Sequence, residues 1–185
     1  ATGDVLVEGL RETKGADEMV LSGDVLVVKK TSKRSPHASH GIGFGKLENS
    51  LVAIDVGTGE KLWELSDAHV APFMLAAKDG RVVYYNMNEL VCLELESGEE
   101  MWRVANKINK GEKLWGGKRF GTISGAAAQP VEIFVVDGTV WCGTSTKGYD
   151  LETGEVAENV NLHKLISPGH HRRCIRGKAT ARYII

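Results

Sequence analysis

The sequence predicts an all-β protein built from repeated four-stranded antiparallel units, and three observations carry that prediction. A pattern running Leu51-Val-Ala-Ile-Asp-Val-Gly-Thr-Gly-Glu-Lys-Leu-Trp63 returns as Leu90-Val-Cys-Leu-Glu-Leu-Glu-Ser-Gly-Glu-Glu-Met-Trp102, and in shorter form as Tyr149-Asp-Leu-Glu-Thr-Gly-Glu155. Upstream of each copy a tight turn enters an apolar strand: Gly23-Asp24 before Val25, Asp79-Gly80 before Arg81, and Asp137-Gly138 before Thr139. Apolar residues at helical spacing are nearly absent, while short β-branched and aromatic runs between glycine turns are common.

In each copy the apolar strand ends on an acidic residue (Asp55, Glu94, Asp150), and a glycine flanked by Thr or Ser and Glu follows four residues on (Gly59, Gly98, Gly154). The carboxylate can accept backbone N–H groups of its own turn, and the glycine supplies a positive φ that a side chain would make costly. With the upstream turn, each repeat has two hairpins and four strands, A to D. The second repeat occupies about 72–105 and the third about 130–162. Gly80 and Gly98 are 18 residues apart, Gly138 and Gly154 16, but Gly23 and Gly59 36. The first repeat, about 18–65, therefore carries an insertion between B and C, roughly 29–50, and a second insertion, 106–129, separates repeats two and three. The run 170–185 reads as strands A and B of a fourth unit. The start on Ala1 and the strand-like end Arg182-Tyr-Ile-Ile185 suggest a segment cut from a longer chain.

Antiparallel units of about 40 residues are the sequence mark of a β-propeller, whose blades stack face to face. The expected architecture is a propeller fragment of three to four blades. Residues 51–63 resemble, at nearly every position, the pyrroloquinoline-quinone-like (PQQ-like) repeat: an apolar strand Leu-x-Ala-Leu-Asp, two residues, Thr-Gly-Glu, then a strand with Trp. Residues 90–102 match with Glu for Asp and Ser for Thr. The third copy keeps Asp150, Thr153, Gly154 and Glu155 but has Glu158 where Trp is expected. The run from His170 to Ile185 is similar to a segment of bacterial propellers made of these repeats. Trp63 and Trp102 would lie between blades, where burying ~150–250 Å² of each stabilises by at most about 4–6 kcal/mol.

The chain has 185 residues and a formal net charge of −1, so no global field draws it to nucleic acid or acidic lipid. No run approaches the ~20 apolar residues needed to span a bilayer, and residues 1–30 lack signal-peptide order. Cys92, Cys142 and Cys174 are odd in number and lack paired zinc spacing, so they read as buried thiols.

In an up-and-down blade the A–B and C–D turns share one face, so both insertions emerge on the other. All six histidines map to that long-loop face: His37 and His40 in the first insertion, His69 in the first D–A connection, and His163, His170 and His171 around the last. The same loops are basic. Lys29, Lys30, Lys33, Arg34 and Lys46 lie in the first; Lys107, Lys110, Lys113, Lys118 and Arg119 surround Trp115 in the second; Arg172 and Arg173 follow at a channel mouth. Such a surface suits a protein partner or a small anionic ligand, although solvated charge on exposed loops gives the same composition. Gly41-Ile-Gly-Phe-Gly45 precedes no helix and so lacks the context of a phosphate loop.

Three functions compete. The first is a non-catalytic interaction scaffold, similar to the propeller lipoproteins of outer-membrane assembly, which would place the chain in the periplasm or elsewhere outside the cytoplasm. The second is a quinoprotein dehydrogenase holding PQQ and calcium; that family's vicinal cysteine pair is missing, and no acidic cluster on the long-loop face suggests calcium. The third is a histidine-metal enzyme, which needs three of the six imidazoles to converge. No cofactor is expected under the first reading. Self-association is an option if blades are missing.

Overall fold

The structure, a computed structural model, describes residues 10–31, 49–71, 74–86, 88–105, 133–142 and 147–158. Twelve strands and one short 3-10 turn, Arg11–Thr13, make up the described secondary structure. The first sheet holds β1 (Ala16–Ser22), β2 (Val25–Thr31), β3 (Asn49–Asp55) and β4 (Lys61–Leu65). The second holds β5 (Leu75–Lys78), β6 (Arg81–Tyr85), β7 (Glu89–Glu94) and β8 (Glu100–Ala105). The third holds β9 (Ile133–Val136), β10 (Thr139–Cys142), β11 (Gly148–Asp150) and β12 (Val156–Glu158). Each sheet is an antiparallel meander with its strands in sequence order. The first strands are neighbours in space, β1 against β5 and β5 against β9, which is the radial arrangement of propeller blades.

The tight turns follow from their sequences. Asp79 and Gly80 have φ of 51° and 75°, and Asp137 and Gly138 48° and 70°, so both central residues are left-handed as a type I′ hairpin turn requires. The first turn departs from this pattern. Its glycine comes first, and only Gly23 (φ 57°) is left-handed among its two central residues.

The second hairpin of every blade uses one hydrogen-bond scheme. The Thr58 and Thr153 N–H groups donate to the Oδ1 atoms of Asp55 (2.7 Å) and Asp150 (2.8 Å), and Ser97 N–H donates to Glu94 Oε2 (2.6 Å). The glycine N–H then closes onto the acidic residue's own carbonyl, at 2.8, 3.0 and 2.9 Å in the three blades. The two hairpins of a blade are also tied together: Val56, Leu95 and Leu151 donate their N–H groups to Asp24, Gly80 and Gly138 carbonyls. All six turns thus form one rim.

The turn hydrogen bonds hold the carboxyls of Asp55 and Asp150 below the usual range, chiefly through the backbone N–H groups of Thr58 and Thr153. A carboxyl depressed in the folded state adds stability above its unfolded pKa, and that stability is lost as pH falls through the folded value. Melting temperature should therefore fall as pH drops below about 4. Asp55→Asn, which keeps an acceptor oxygen but does not titrate, should flatten that acid limb in a thermal scan across pH; an unchanged slope would contradict the assignment.

Strand D carries an extra residue in each blade. Ala53 pairs with Trp63 but Ile54 with Lys61; Cys92 pairs with Trp102 but Leu93 with Glu100; and a matching shift occurs between Gly148 and Tyr149. A bulge of this kind turns side chains on its strand. The skipped residues Leu62 and Met101 are left 41 % and 46 % exposed, while Trp63 and Trp102 pack into the next sheet.

Two apolar layers join the three sheets. Val25, Val27, Leu51 and Ala53 meet Leu75, Val82, Tyr84, Val91 and Leu93 between the first and second. Val83, Tyr85, Leu90, Cys92 and Trp102 meet Ile133, Val135, Val140, Cys142 and Tyr149 between the second and third. Cys92 and Cys142 are fully buried there, and burial pushes the Cys92 thiol up to about 12. They are packing residues.

Each tryptophan locks a blade to the next by the same device. Trp63 Nε1 donates to Leu95 O, and Trp102 Nε1 to Leu151 O, both at 2.8 Å. Each indole lies flat over the next blade's turn glycine, so that a Cβ on Gly98 or Gly154 would stand 2.7 Å from Trp63 or Trp102. Arg81 adds a polar bridge between blades, its guanidinium donating to Glu152.

Candidate interaction face

The rim opposite the tight turns is the one from which the long connections leave. Thr31 pairs with Asn49, so β2 and β3 end side by side there and the stretch 32–48 departs from that edge. Ala105 pairs with Glu89 at the same edge of the second sheet, and the stretch from 106 to 132 departs from it. Two further connections are described on this side, Ser66–Ala71 between β4 and β5, and Asn86 with Asn88 between β6 and β7.

The connection after β4 is held rather than loose. Asn49, 4 % exposed, donates Nδ2 to Val70 O and accepts Val70 N–H on Oδ1, both at 2.8 Å, and its own carbonyl accepts Ala68 N–H at 3.0 Å. Ala71 N–H then bonds Tyr85 O at 2.9 Å. This side-chain clamp does for the connection what a strand ladder would, pairing the amides of Ala68 and Val70. It also fixes His69, half-buried with φ 54°, between two anchored neighbours. Nothing in the sequence marked Asn49, because its partner is 21 residues away.

Sequence reading expected Lys29 and Lys30 in a basic loop. Instead β2 continues to Thr31 and both are strand residues. Lys29 alternates in register with Val25 and Val27, which turns it inward, and it is 3 % exposed. Its Nζ meets Glu18 Oε2 at 2.7 Å and Asp17 Oδ2 at 3.5 Å. Lys30 pairs with Glu12 at 2.9 Å and holds that carboxyl below its usual range. These two charges are neutralised within the first sheet and its leading turn, so they do not contribute to a free basic surface. On the second sheet Arg103 donates to Glu89 and Glu100, and its hydrogen bonds depress both carboxyls.

Of the histidines and arginines expected on this face, His69 is the one among the described residues. His37, His40, His163, His170, His171, Arg172 and Arg173 lie outside them, as do Lys33, Arg34, Lys46, Trp115 and the lysines and arginine around it. Among the described residues no group of three or more His, Cys, Asp or Glu is placed to hold a metal ion, and no helix is long and apolar enough to cross a membrane.

Residues 47–107 match the family model described as PQQ_2, outer membrane protein assembly factor BamB. No curated protein matches the chain. Among solved structures, BamB from Moraxella catarrhalis is 18% identical over 76% of this chain and 36% of that one, with a TM-score of 0.48. A europium-containing methanol dehydrogenase is 15% identical over 78% of this chain and 25% of that one, with a TM-score of 0.43. A quinohemoprotein alcohol dehydrogenase from Comamonas testosteroni is 16% identical over 73% and 19%, with a TM-score of 0.44. The chain spans roughly a third or less of the length of these structures. The match runs from the second half of the first blade through the second, and the three meander sheets make the described residues a β-propeller fragment whose repeat resembles the PQQ-like one.

Proposed function

We propose that this PQQ-like propeller section is a non-catalytic interaction scaffold whose long-loop face takes a protein partner or a small anionic ligand. The observation that carries the reading is the asymmetry of the two rims. One rim is closed by six short turns hydrogen-bonded in pairs within each blade, and the other releases stretches 32–48 and 106–132. A rigid scaffold with long connections on one side is the usual way a fold displays a binding surface. The candidate residues there are His37, His40, His69, His163, His170, His171, Arg172 and Arg173. The matched family's description, an outer-membrane assembly factor, supports a protein partner and a bacterial, extracytoplasmic setting.

Binding of a fluorescent polyglutamate peptide, measured by anisotropy at low and at physiological salt, tests the reading. Arg172→Glu with Arg173→Glu should weaken it by at least about tenfold, the order of two charge reversals in one anion site. Indifference to these changes would remove the anionic ligand. A melting temperature that rises with added calcium and PQQ, together with retained quinone absorbance, would replace the scaffold by a quinoprotein dehydrogenase.

A further inference from the structure

Two equivalent places on the short-turn rim lie between consecutive sheets, and they are filled differently. Between the second and third sheets, Arg81 opens β6 paired with Glu94, and its guanidinium donates across the gap to Glu152, two residues past Asp150. Lys78, on the other side of the same turn, reaches Val135 O at 3.4 Å. Both cations come from the second blade and both end on the third. Between the first and second sheets the backbone repeats: Val25 opens β2 paired with Asp55, and Glu96 stands two residues past Glu94. Here Ser22 and Val25 hold the positions of Lys78 and Arg81. The acidic acceptor is kept and both cationic side chains are replaced by short ones.

The consequence is a cleft of about 630 Å³ between the first and second sheets, inside the ~300–1,000 Å³ range of ligand pockets. Val25, Leu62 and Leu95 give it apolar walls, and Leu62 is the residue that the β4 bulge leaves 41 % exposed. Its charge is all of one sign, from Asp24, Asp55, Asp79 and Glu96; among the described residues no cation lines it. Carboxylates gathered around a cleft with apolar walls focus their field on a cation entering it. Among the described residues no three acidic groups are placed to hold a metal ion. An organic cation with an apolar stem suits the cleft instead, because a stem of this kind covers exposed apolar surface while its head stays paired.

We propose that this cleft is a docking site for an arginine side chain on an extended segment of a partner protein, its guanidinium pairing with Glu96 as that of Arg81 pairs with Glu152, and its stem lying against Leu62. The filled place between the second and third sheets identifies the occupant. There Arg81 uses two nitrogens at once, Nη1 on Gly80 O at 3.1 Å and Nη2 on Glu152, a fork that the point charge of an ammonium does not reproduce. The cleft opens on the rim opposite the long connections, so it is separate from the face proposed above for an anion or protein partner.

The test is anisotropy of a labelled Gly-Arg-Leu-Arg-Gly peptide titrated with the 185-residue chain, beside the same peptide carrying citrulline, which keeps the shape of arginine and removes its charge. One peptide should bind per chain, and citrulline should weaken binding by at least about tenfold. Glu96→Gln should weaken it likewise, whereas Glu152→Gln, at a carboxylate that Arg81 already engages, should leave it unchanged. Val25→Arg gives the first cleft the residue that the second place has, and should abolish binding without lowering the melting temperature. Conversely, Lys78→Ser with Arg81→Val turns the second place into a copy of the first and should raise the stoichiometry from one peptide to two. Binding indifferent to citrulline, to Glu96→Gln or to Val25→Arg would overturn the proposal, as would a stoichiometry of one in the folded double variant. Spermidine matching the peptide's affinity would overturn it too, because charge alone would then be recognised, and so would self-association abolished by Val25→Arg, which would make the occupant a second copy of this chain.

Discussion

Replacing Trp102 with alanine is expected to lower the unfolding free energy by about 3–5 kcal/mol, the range for truncating a buried aromatic, read as a shift of the urea midpoint at constant slope. Trp102 is 8 % exposed, and its side chain is the main apolar link from β8 to the third sheet. Trp102→Phe should recover most of the loss, because it keeps ring area and gives up only the Nε1–H bond to Leu151 O, a net cost of roughly 1 kcal/mol. Trp63→Ala should cost less, since Trp63 is half-buried. The consequence reaches the proposed binding face, because β8 is the strand from which the stretch after Ala105 departs. A loosened β8 frees the base of that connection, so polyglutamate binding should weaken in Trp102→Ala even where the protein remains folded. If midpoints for Trp102→Ala and wild type coincide, the tryptophan is not a blade lock.

The blade pattern was legible because its signals are local. An acidic residue, a Thr or Ser three positions on and a glycine four positions on can meet only in a turn, and Asp-Gly before an apolar run can be little other than a hairpin. The strand D bulge was not legible: it is a pairing event between chains of residues, and Leu62 and Met101 look like ordinary members of an alternating strand. Lys29 was misassigned for a related reason. Its charge argued for a loop, whereas its register with Val25 and Val27 argued for the strand, and the register prevailed because Glu18 and Asp17 on β1 neutralise the buried ammonium. Asn49 gave no signal, since its clamp on Val70 exists only once the chain has returned to the same edge. The candidate face was legible as a side of the fold, from the spacing of its turns. Which imidazoles meet there depends on contacts between distant loops, and sequence spacing does not encode those.

The turn glycines separate two reasons for one residue. Gly80, Gly98, Gly138 and Gly154 have similar φ, 75°, 72°, 70° and 71°, so alanine at any of them meets the same left-handed penalty, about 1 kcal/mol. Their surroundings differ sharply. A Cβ at Gly80 or Gly138 has nothing within 4 Å, whereas at Gly98 or Gly154 it would lie 2.7 Å from an indole carbon. The indole cannot retreat without lengthening its 2.8 Å bond to the neighbouring carbonyl, so overpacking adds about 1–3 kcal/mol. Gly98→Ala and Gly154→Ala should therefore lose about 2–4 kcal/mol in denaturant melts, against about 1 for Gly80→Ala and Gly138→Ala. The pairing can be checked independently. In a Trp102→Ala background the extra cost of Gly154→Ala should vanish, leaving only the backbone part, while that of Gly98→Ala should persist because its indole, Trp63, is untouched. Four equal losses would mean that backbone conformation alone keeps these positions glycine, and that the blades are not joined through indole seats.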